Sequence, residues 1–475
     1  MSSVINTNVG SLIAQRSLAA NNAALNTSLK RLSTGLKINS GADDPAGLIA
    51  SEALKAEKTG LTTAIDNANR ATNIIGTAEG GLTEVSNLLN QLQGLVTQSA
   101  NTGALSSDEL KANQLQVDSI LTTVNRIANS TSFQGKNLLD GSLAYTLSTA
   151  GTSAFTAISV NAANLPGNKT ESVVVQVLNS ATLGKVSYAG ASGSAVIGAS
   201  AVTLQIAGNN GTQQLSFAGS TKLSAVAAAI NNITAQTGVT ASASGANLTF
   251  KASNYGSSQF VSVTSLSGTF SVTGGTSGKA TGTDAKVNVN GAAATVDGTD
   301  VTYRDNNIDL TFTASAALNN GKTKSFGITG GGATFSLGSK VTDALKTSIG
   351  IQSVSTGSLG DSATGFLNSL ASGGANQLTA SSLSSAQSIV SKSINQVSSL
   401  RGRLGAFQTF TLGSTINSLS VAYENISAAN SSIADTNFAA ETANLTRYQI
   451  LSQAATTVLS QANSAPQSVL SLLGR

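Results

Sequence analysis

The chain has 475 residues, of which 10% are charged and 4% aromatic, and its 26 basic and 22 acidic side chains leave a formal net charge of +4. That length suits two to four domains, and so thin a balance of charge with so few aromatics gives nucleic-acid binding little support. Cysteine, histidine and tryptophan are absent, which removes disulfides, the soft metal ligands and nearly every usual nucleophile and general base. No catalytic residue, metal site or cofactor is expected. The opening Met1-Ser2-Ser3-Val4-Ile5-Asn6 lacks a charged n-region and an apolar run of signal-peptide length, and no stretch reaches the ~20 apolar residues of a membrane span. General secretion is not signalled.

Near the start, Leu18, Leu25, Leu29, Leu32 and Leu36 step by 7, 4, 3 and 4, a heptad seam. The helical pattern then breaks at Asn39-Ser40-Gly41-Ala42-Asp43-Asp44-Pro45. Asp44 suits an N-cap and Pro45 the first helical position, where a missing donor costs nothing. Asp43 and Asp44 are therefore read as a cap and its neighbour, not as a metal or acid/base pair. From there Leu61, Ile65, Ala68, Thr72, Ile75, Leu82, Leu89, Leu92 and Val96 keep helical steps. A helix of about fifty residues would be roughly 75 Å long, too long for a compact globule.

Asn101-Thr102-Gly103 should end that helix, and Ser106 with Glu109 should form a capping box for the next, whose apolar face is Leu110, Val117, Leu121, Val124 and Ala128. After Phe133-Gln134-Gly135 the period changes to two, and strand character persists to about Gly338. Pro166-Gly167 marks a turn before the alternating Val173, Val175 and Val177. Val202 to Phe250 reads as a small α+β module with one helix bearing Leu223, Val226, Ile230 and Ile233. Gly268 to Asp284 reads as a linker or loop, and Val287 to Ile328 as a second β-rich unit. There Arg304 to Asn307 looks like a turn, and Asp305 and Asp309 like solvated carboxylates, not a catalytic pair.

Helical period returns from Leu383, with Leu412, Ile416, Leu419, Tyr423, Ile426 and Ile433 on one face. The chain then enters a terminal seam, Tyr448, Leu451, Ala455, Val458, Ala462, Ala465, Val469 and Leu472, in alternating steps of 3 and 4, with Pro466 inside it expected to kink or loosen the last turns. Most of these positions are Ala or Val, which bury less than the ~1.5 to 3 kcal/mol of the largest core side chains, so the helix alone should be marginal. Its partner is the N-terminal seam. The fold expected is α+β and elongated, with long antiparallel coiled-coil helices from both termini and inserted β-rich outer domains. Residues 1–44 with 435–475 would form the terminal coiled coil, 45–180 with 335–434 a long-helix layer with a small β part, and 181–334 the outer part, in modules at about 195–266 and 284–330.

Both arms resemble bacterial flagellin. The likeness rests on Ile5 to Asn8, LKRLSTGLKIN from Leu29, DDPAGL from Asp43, TAEG from Thr77 and FQGKNLL from Phe133, then on VSSLRGRLGAF from Val397, ETANLTRYQI from Glu441 and QANSAPQSVLSLL from Gln461. In the middle, Ala229-Ile230-Asn231 and Gly238-Val239-Thr240-Ala241 resemble a hook-type motif. The resemblance implies a subunit exported unfolded through the flagellar type III route, polymerising with itself, and meeting a filament cap, hook-filament junction proteins and an export chaperone at its C-terminus. It implies that Leu18, Leu25, Leu29, Leu32, Leu36, Leu451, Ala455, Val458, Ala462, Val469 and Leu472 carry self-assembly.

One stretch departs from the family. Members detected by Toll-like receptor 5 carry Q-R-x-R-E-L-A-x-Q on the long helix, where this chain reads Asn90-Gln91-Leu92-Gln93-Gly94-Leu95-Val96-Thr97-Gln98. Gln91, Gln93 and Gly94 replace two arginines and a glutamate beside Leu95 and Gln98, so the ion pairs of that motif cannot form. Weak or absent receptor activation is expected. Three other readings stay open: a hook-filament junction protein, which shares both arms; a coiled-coil surface adhesin, which would need a signal or anchor; and an enzyme in the inserted part, for which an H-E-x-x-H zinc site is ruled out by the lack of histidine.

Overall fold

A computed structural model describes residues 7–101, 105–148, 154–163, 165, 170–190, 194–305, 307–315, 321–362, 364–379 and 382–473, with backbone alone from 466. The Pro166-Gly167 turn and the side chains of Val469 and Leu472 lie outside the described residues. The helices are α1 (Val9–Thr34), α2 (Pro45–Ser99), α3 (Ser107–Ser130), α4 (Leu223–Asn232), α5 (Thr234–Thr237), α6 (Leu383–Ala406), α7 (Ser414–Ala434) and α8 (Phe438–Leu473). The chain packs as two units, Met1–Asn69 with Leu337–Val341 and Gly413–Arg475, and Arg70–Ser336 with Thr342–Leu412. The division falls inside α2 and at the start of α7, so both helices contribute to the first unit beyond the 1–44 and 435–475 expected from sequence.

In the first unit the helix ends follow the local chemistry. Asn8 caps α1 by accepting the Ser11 N–H at 2.9 Å, and Gly35 closes it in the left-handed region at φ 72°. The Asp44 carboxylate accepts the Gly47 N–H at 2.9 Å, and α2 begins at Pro45. Asp43 accepts from the Ser40 hydroxyl at 2.9 Å and from the Ser40 and Asn39 N–H groups at 2.8 and 3.1 Å. Both carboxylates are thus engaged in shaping the turn. α2 and α7 lie side by side here, joined by Ser51 donating to the Asn430 side chain at 2.8 Å and by the Lys58 ammonium 5.1 Å from the Tyr423 ring centre. α8 keeps helical backbone through Pro466 to Leu473.

In the second unit the rest of α2 buries Ala71, Ile75, Ala78, Leu82, Val85, Leu89, Leu92 and Val96 along one stripe. α3 packs against it through Val117, Leu121, Val124 and Ala128, and Asn113 donates to Ser99 at 3.2 Å. Its start is a full capping box, with the Ser106 hydroxyl accepting the Glu109 N–H at 3.2 Å and the Glu109 carboxylate accepting the Ser106 N–H at 2.7 Å. α6 joins the pair through Arg401, whose Nε donates to Glu79 at 2.7 Å.

Beyond α6 the backbone is π-wound over Phe407–Gly413. The buried residues of α6 include Leu383, Ala386, Val390, Ser393, Val397, Leu400 and Leu404 in steps of 3 and 4, and the next buried residue is Leu412. Eight positions separate Leu404 from Leu412 where seven would continue the seam. A π turn holds one residue more than an α turn, so this segment absorbs the offset.

The hook-like motif lies in a module of two four-stranded sheets and α4. One sheet orders Val272–Thr273, Lys185–Ala189, Asn247–Ala252 and Val239–Ser244, the other Lys279–Thr281, Phe260–Ser267, Val202–Gly208 and Gly211–Phe217. Their core holds Leu204, Ile206, Leu223, Val226, Ile230, Leu248 and Phe250. The motif's two halves lock together: Asn231 donates to the Ala241 carbonyl at 3.0 Å and accepts the Ala241 N–H at 2.8 Å, while Gly238 turns the chain between them at φ 71°. The expected linker at 268–284 is instead part of this module. Phe270 is buried and stacks on Tyr188 with ring centres 3.8 Å apart, and Val272–Thr273 and Lys279–Thr281 are edge strands. Glycine-rich composition hid one aromatic anchor.

The second β unit also differs from its expected bounds. Glu171–Asn179 pairs with Lys286–Val289 and Thr323–Gly331, and Phe155–Ala163 pairs with Ile308–Ala314. Strands from 145 to 179, expected from sequence as the small β part of the long-helix layer, therefore pair with those from 286 to 331. Phe155, Phe312 and Phe326 form an edge-to-face cluster with centroids 5.1 to 6.4 Å apart. Asp305 shapes its turn by accepting the Asn307 and Ile308 N–H groups at 2.8 and 2.7 Å. Asp309 is not the solvated group expected: its side chain is 16% exposed, bonded to Arg304 at 2.5 Å and to Asn161 at 2.9 Å.

Several exposed or half-buried carboxylates anchor loops. The Ser40 hydroxyl and the Ser40 and Asn39 amides hold the Asp43 pKa below its usual value of 3.8, and the Ser257 hydroxyl and amide with the Gly298 amide do so for Asp284. For Asp118 burial pushes upward, but hydrogen bonds from Ser372 and Gln114 outweigh it. A depressed folded pKa means that the unfolded chain binds more protons near pH 4, so this stability is present above 3.8 and lost as pH falls through the folded value. Since there is no histidine, melting temperature should be nearly flat from about pH 5.5 to 8 and fall below about pH 4. Circular dichroism melts across that range test this, and a step between pH 6 and 7 would contradict it.

Candidate assembly surface

α1 and α8 run antiparallel in the first unit. Asn8 donates to the Ala462 carbonyl at 2.8 Å and Ser11 to the Asn463 side chain at 2.8 Å; further along, Ser452 donates to Asn22 at 2.8 Å, and Arg31 lies 3.9 Å from Glu441. Along α1 the shielded positions include Ser11, Ala14, Leu18, Asn21, Leu25, Ser28 and Leu32, a run of steps of 3 and 4. Along α8 they are Glu441, Leu445, Tyr448, Ser452, Ala455, Leu459 and Ala462, again in steps of 4 and 3. The seam is narrow, small and partly polar.

Leu18, Leu25, Leu32, Ala455 and Ala462 are half-buried in this seam, and Leu36 is half-buried just past α1, where it bridges to Asp435. The structure does not bring Leu29, Leu451 or Val458 to it: they are 47%, 38% and 58% exposed. Ser452 and Leu459 take the inward positions next to them. A reading built on large apolar residues alone passes over Ser, Asn and Ala, which let two helices approach closely and hydrogen-bond across the contact. The missed signal was Ser11, Asn21 and Ser28 at heptad spacing between the leucines.

The large side chains this leaves outward are substantial. On α1 they are Val9, Leu12, Ile13 and Leu29; on α8, Phe438, Ile450, Leu451 and Val458. Each fully buried side chain of this kind is worth about 1.5 to 3 kcal/mol. The surface can therefore stabilise contact with another apolar helix far more than it stabilises the pair itself.

On α2 in the second unit, Gln91, Gly94 and Gln98 are exposed, while Gln93 and Leu95 are half-buried and the Gln93 amide oxygen is buried without a hydrogen-bond partner. Nothing lies within 4 Å of where a Gly94 side chain would start. Gly94→Ala should therefore stabilise the monomer by about 0.5 to 1 kcal/mol through helix propensity. Urea unfolding at a concentration below polymerisation measures this; a loss of stability would mean that the site is crowded.

Among the described residues no three His, Cys, Asp or Glu side chains gather where they could hold a metal ion, and no helix is long and apolar enough to cross a membrane. The model of the bacterial flagellin N-terminal helical region matches residues 5–144, that of the C-terminal helical region 387–473, and the flagellin hook IN motif 203–254. Flagellin D of Vibrio cholerae is 30% identical over 482 residues, covering 99% of both chains, and polar flagellin B/D of Vibrio parahaemolyticus is 30% identical with the same coverage. B-type flagellin of Pseudomonas aeruginosa is 31% identical over 522 residues and all of both chains. With both helical arms matched in order and relatives aligned end to end, the chain belongs to the bacterial flagellin family.

Proposed function

We propose that this chain is the structural subunit of a flagellar filament, joined to other copies through the outward faces of α1 and α8. The observation that carries this is the stripe of Leu12, Ile13, Leu451 and Val458 left exposed beside a small, polar intramolecular seam. Repetition of a contact that does not close on itself yields an open helical polymer. Leu18, Leu25, Leu32, Ala455 and Ala462 hold the pair, and Leu29, Leu451 and Val458 meet neighbouring subunits. Val469 and Leu472 extend the same role, and Asp43, Asp44 and Pro45 set the junction. No catalytic step is assigned to it.

The finer partners follow the family reading: export through the flagellar type III route with a C-terminal chaperone, then contact with junction proteins at one end and a cap at the other. Seeded polymerisation tests the central claim. Purified full-length chain incubated with short filament fragments should extend them into long uniform filaments by negative-stain microscopy. Binding of one layer at the seed end without growth would instead indicate a junction protein.

Toll-like receptor 5 should respond weakly or not at all. Gln91, Gln93 and Gly94 offer no charge where the activating motif has two arginines and a glutamate, and neutral amides cannot form bidentate ion pairs. Titrating monomer on receptor reporter cells tests this; a response matching an activating flagellin would refute it.

A further inference from the structure

Within the second unit a cleft of about 850 Å³ opens between α6 and the Phe155–Ala163 strand, in the range of roughly 300 to 1,000 Å³ usual for small-molecule sites. Its lining mixes apolar and hydrogen-bonding groups, and among the latter Asn395, Ser399 and Arg403 from one side of α6 face Tyr145, Ser159 and Gln352.

The charges around it do not balance. Asp361 is engaged by Lys392 at 3.5 Å, and Asp309 is engaged by Arg304 at 2.5 Å and Asn161 at 2.9 Å. Arg403 is half-buried, its Nε is shielded from solvent, and that atom has no hydrogen-bond partner. No ion pair of Arg403 occurs among the described residues. Burial draws its pKa down, opposed only by the through-space pull of Asp309. A shielded guanidinium is costly unless an anion completes it, and its fork geometry matches the two oxygens of a carboxylate or phosphate. Asn395 and Ser399, about two turns and one turn before Arg403, have side chains suited to the polar remainder of such a ligand. Gln396 does not compete, since it is held by both backbone groups of Gly360 at 2.8 and 2.9 Å.

We propose that this cleft binds an oxyanion, a carboxylate or phosphate borne by a polar small molecule of acidic-sugar type, with Arg403 as the charged partner. The site is distinct from the α1 and α8 surfaces and requires no polymer.

The test is isothermal titration of the full-length monomer with glucuronate, inorganic phosphate and, as the uncharged control, glucose. Saturable binding of either anion but not glucose is expected, weakened at least about tenfold by Arg403→Gln and less by Arg403→Lys. Glucuronate alone would identify a sugar carboxylate, and phosphate as well would identify a general oxyanion site; both support the proposal. Because Arg403→Gln could alter folding, Asn395→Leu, on an exposed position, is measured beside it and should also weaken glucuronate. The proposal is overturned if neither anion saturates by ~50 mM, if glucose binds equally, or if a folded Arg403→Gln chain binds as the parent does.

Discussion

Leu451→Glu combined with Val458→Glu should abolish seeded filament growth while leaving the monomer folded. Both positions lie outside the α1–α8 seam, with Leu451 38% and Val458 58% exposed, so the substitutions remove little intramolecular burial. At a subunit contact each would lose about 1.5 to 3 kcal/mol of apolar burial and add the cost of a buried carboxylate. Together that exceeds about 4 kcal/mol per contact, enough to raise the concentration needed for polymerisation about a thousandfold. Pelleting after seeding measures the first effect and circular dichroism the second. Normal growth would move the polymer contact away from this face of α8. Ser452→Glu is the complementary control, since its inward position predicts a weakened α1–α8 pair even in the monomer.

Two single-residue deletions in one continuous helical run should have opposite outcomes. Removing Ser398 from α6 shortens the Val397 to Leu400 step and rotates Leu400, Leu404 and Leu412 off the buried face. At about 2 to 5 kcal/mol for each buried leucine displaced, the second unit should lose more than about 5 kcal/mol or fail to fold. Removing Thr409 from the π segment takes out the surplus residue, lets the turn revert to α, and should change stability by less than about 1 kcal/mol. Both residues are exposed, so side-chain contacts do not explain the contrast. Chemical denaturation of the two variants measures it. Equal losses would show that the π turn is required for packing and is not a register correction. The skip is visible in the sequence as a step of eight from Leu404 to Leu412, within what otherwise reads as one resumed helical period.

The helical arms were legible because their information is local. Asn8, Asp44, Ser106 and Glu109 cap helices through bonds spanning three residues, and the stripe from Ala71 to Val96 on α2 follows from the helical period alone. The β regions were less legible because strand pairing joins residues more than a hundred positions apart, such as Glu171 with Ile328 and Phe155 with Ala314. Alternation indicates a strand but does not name its neighbour. Phe270 was lost in a run of Gly, Ser and Thr for the same reason: only its stacking on Tyr188 makes that stretch part of a core.

The sequence by itself determined that two heptad-bearing arms enclose a β-rich insertion, that cysteine and histidine chemistry is absent, and that the arms are those of a flagellin. Tertiary structure alone decided which side of each arm faces the other. Two helix faces about 100° apart can both carry helical periodicity, and hydrogen bonds from Asn8, Ser11 and Ser452 select the small polar one. The larger residues, Leu451 and Val458, are thereby left on the outside.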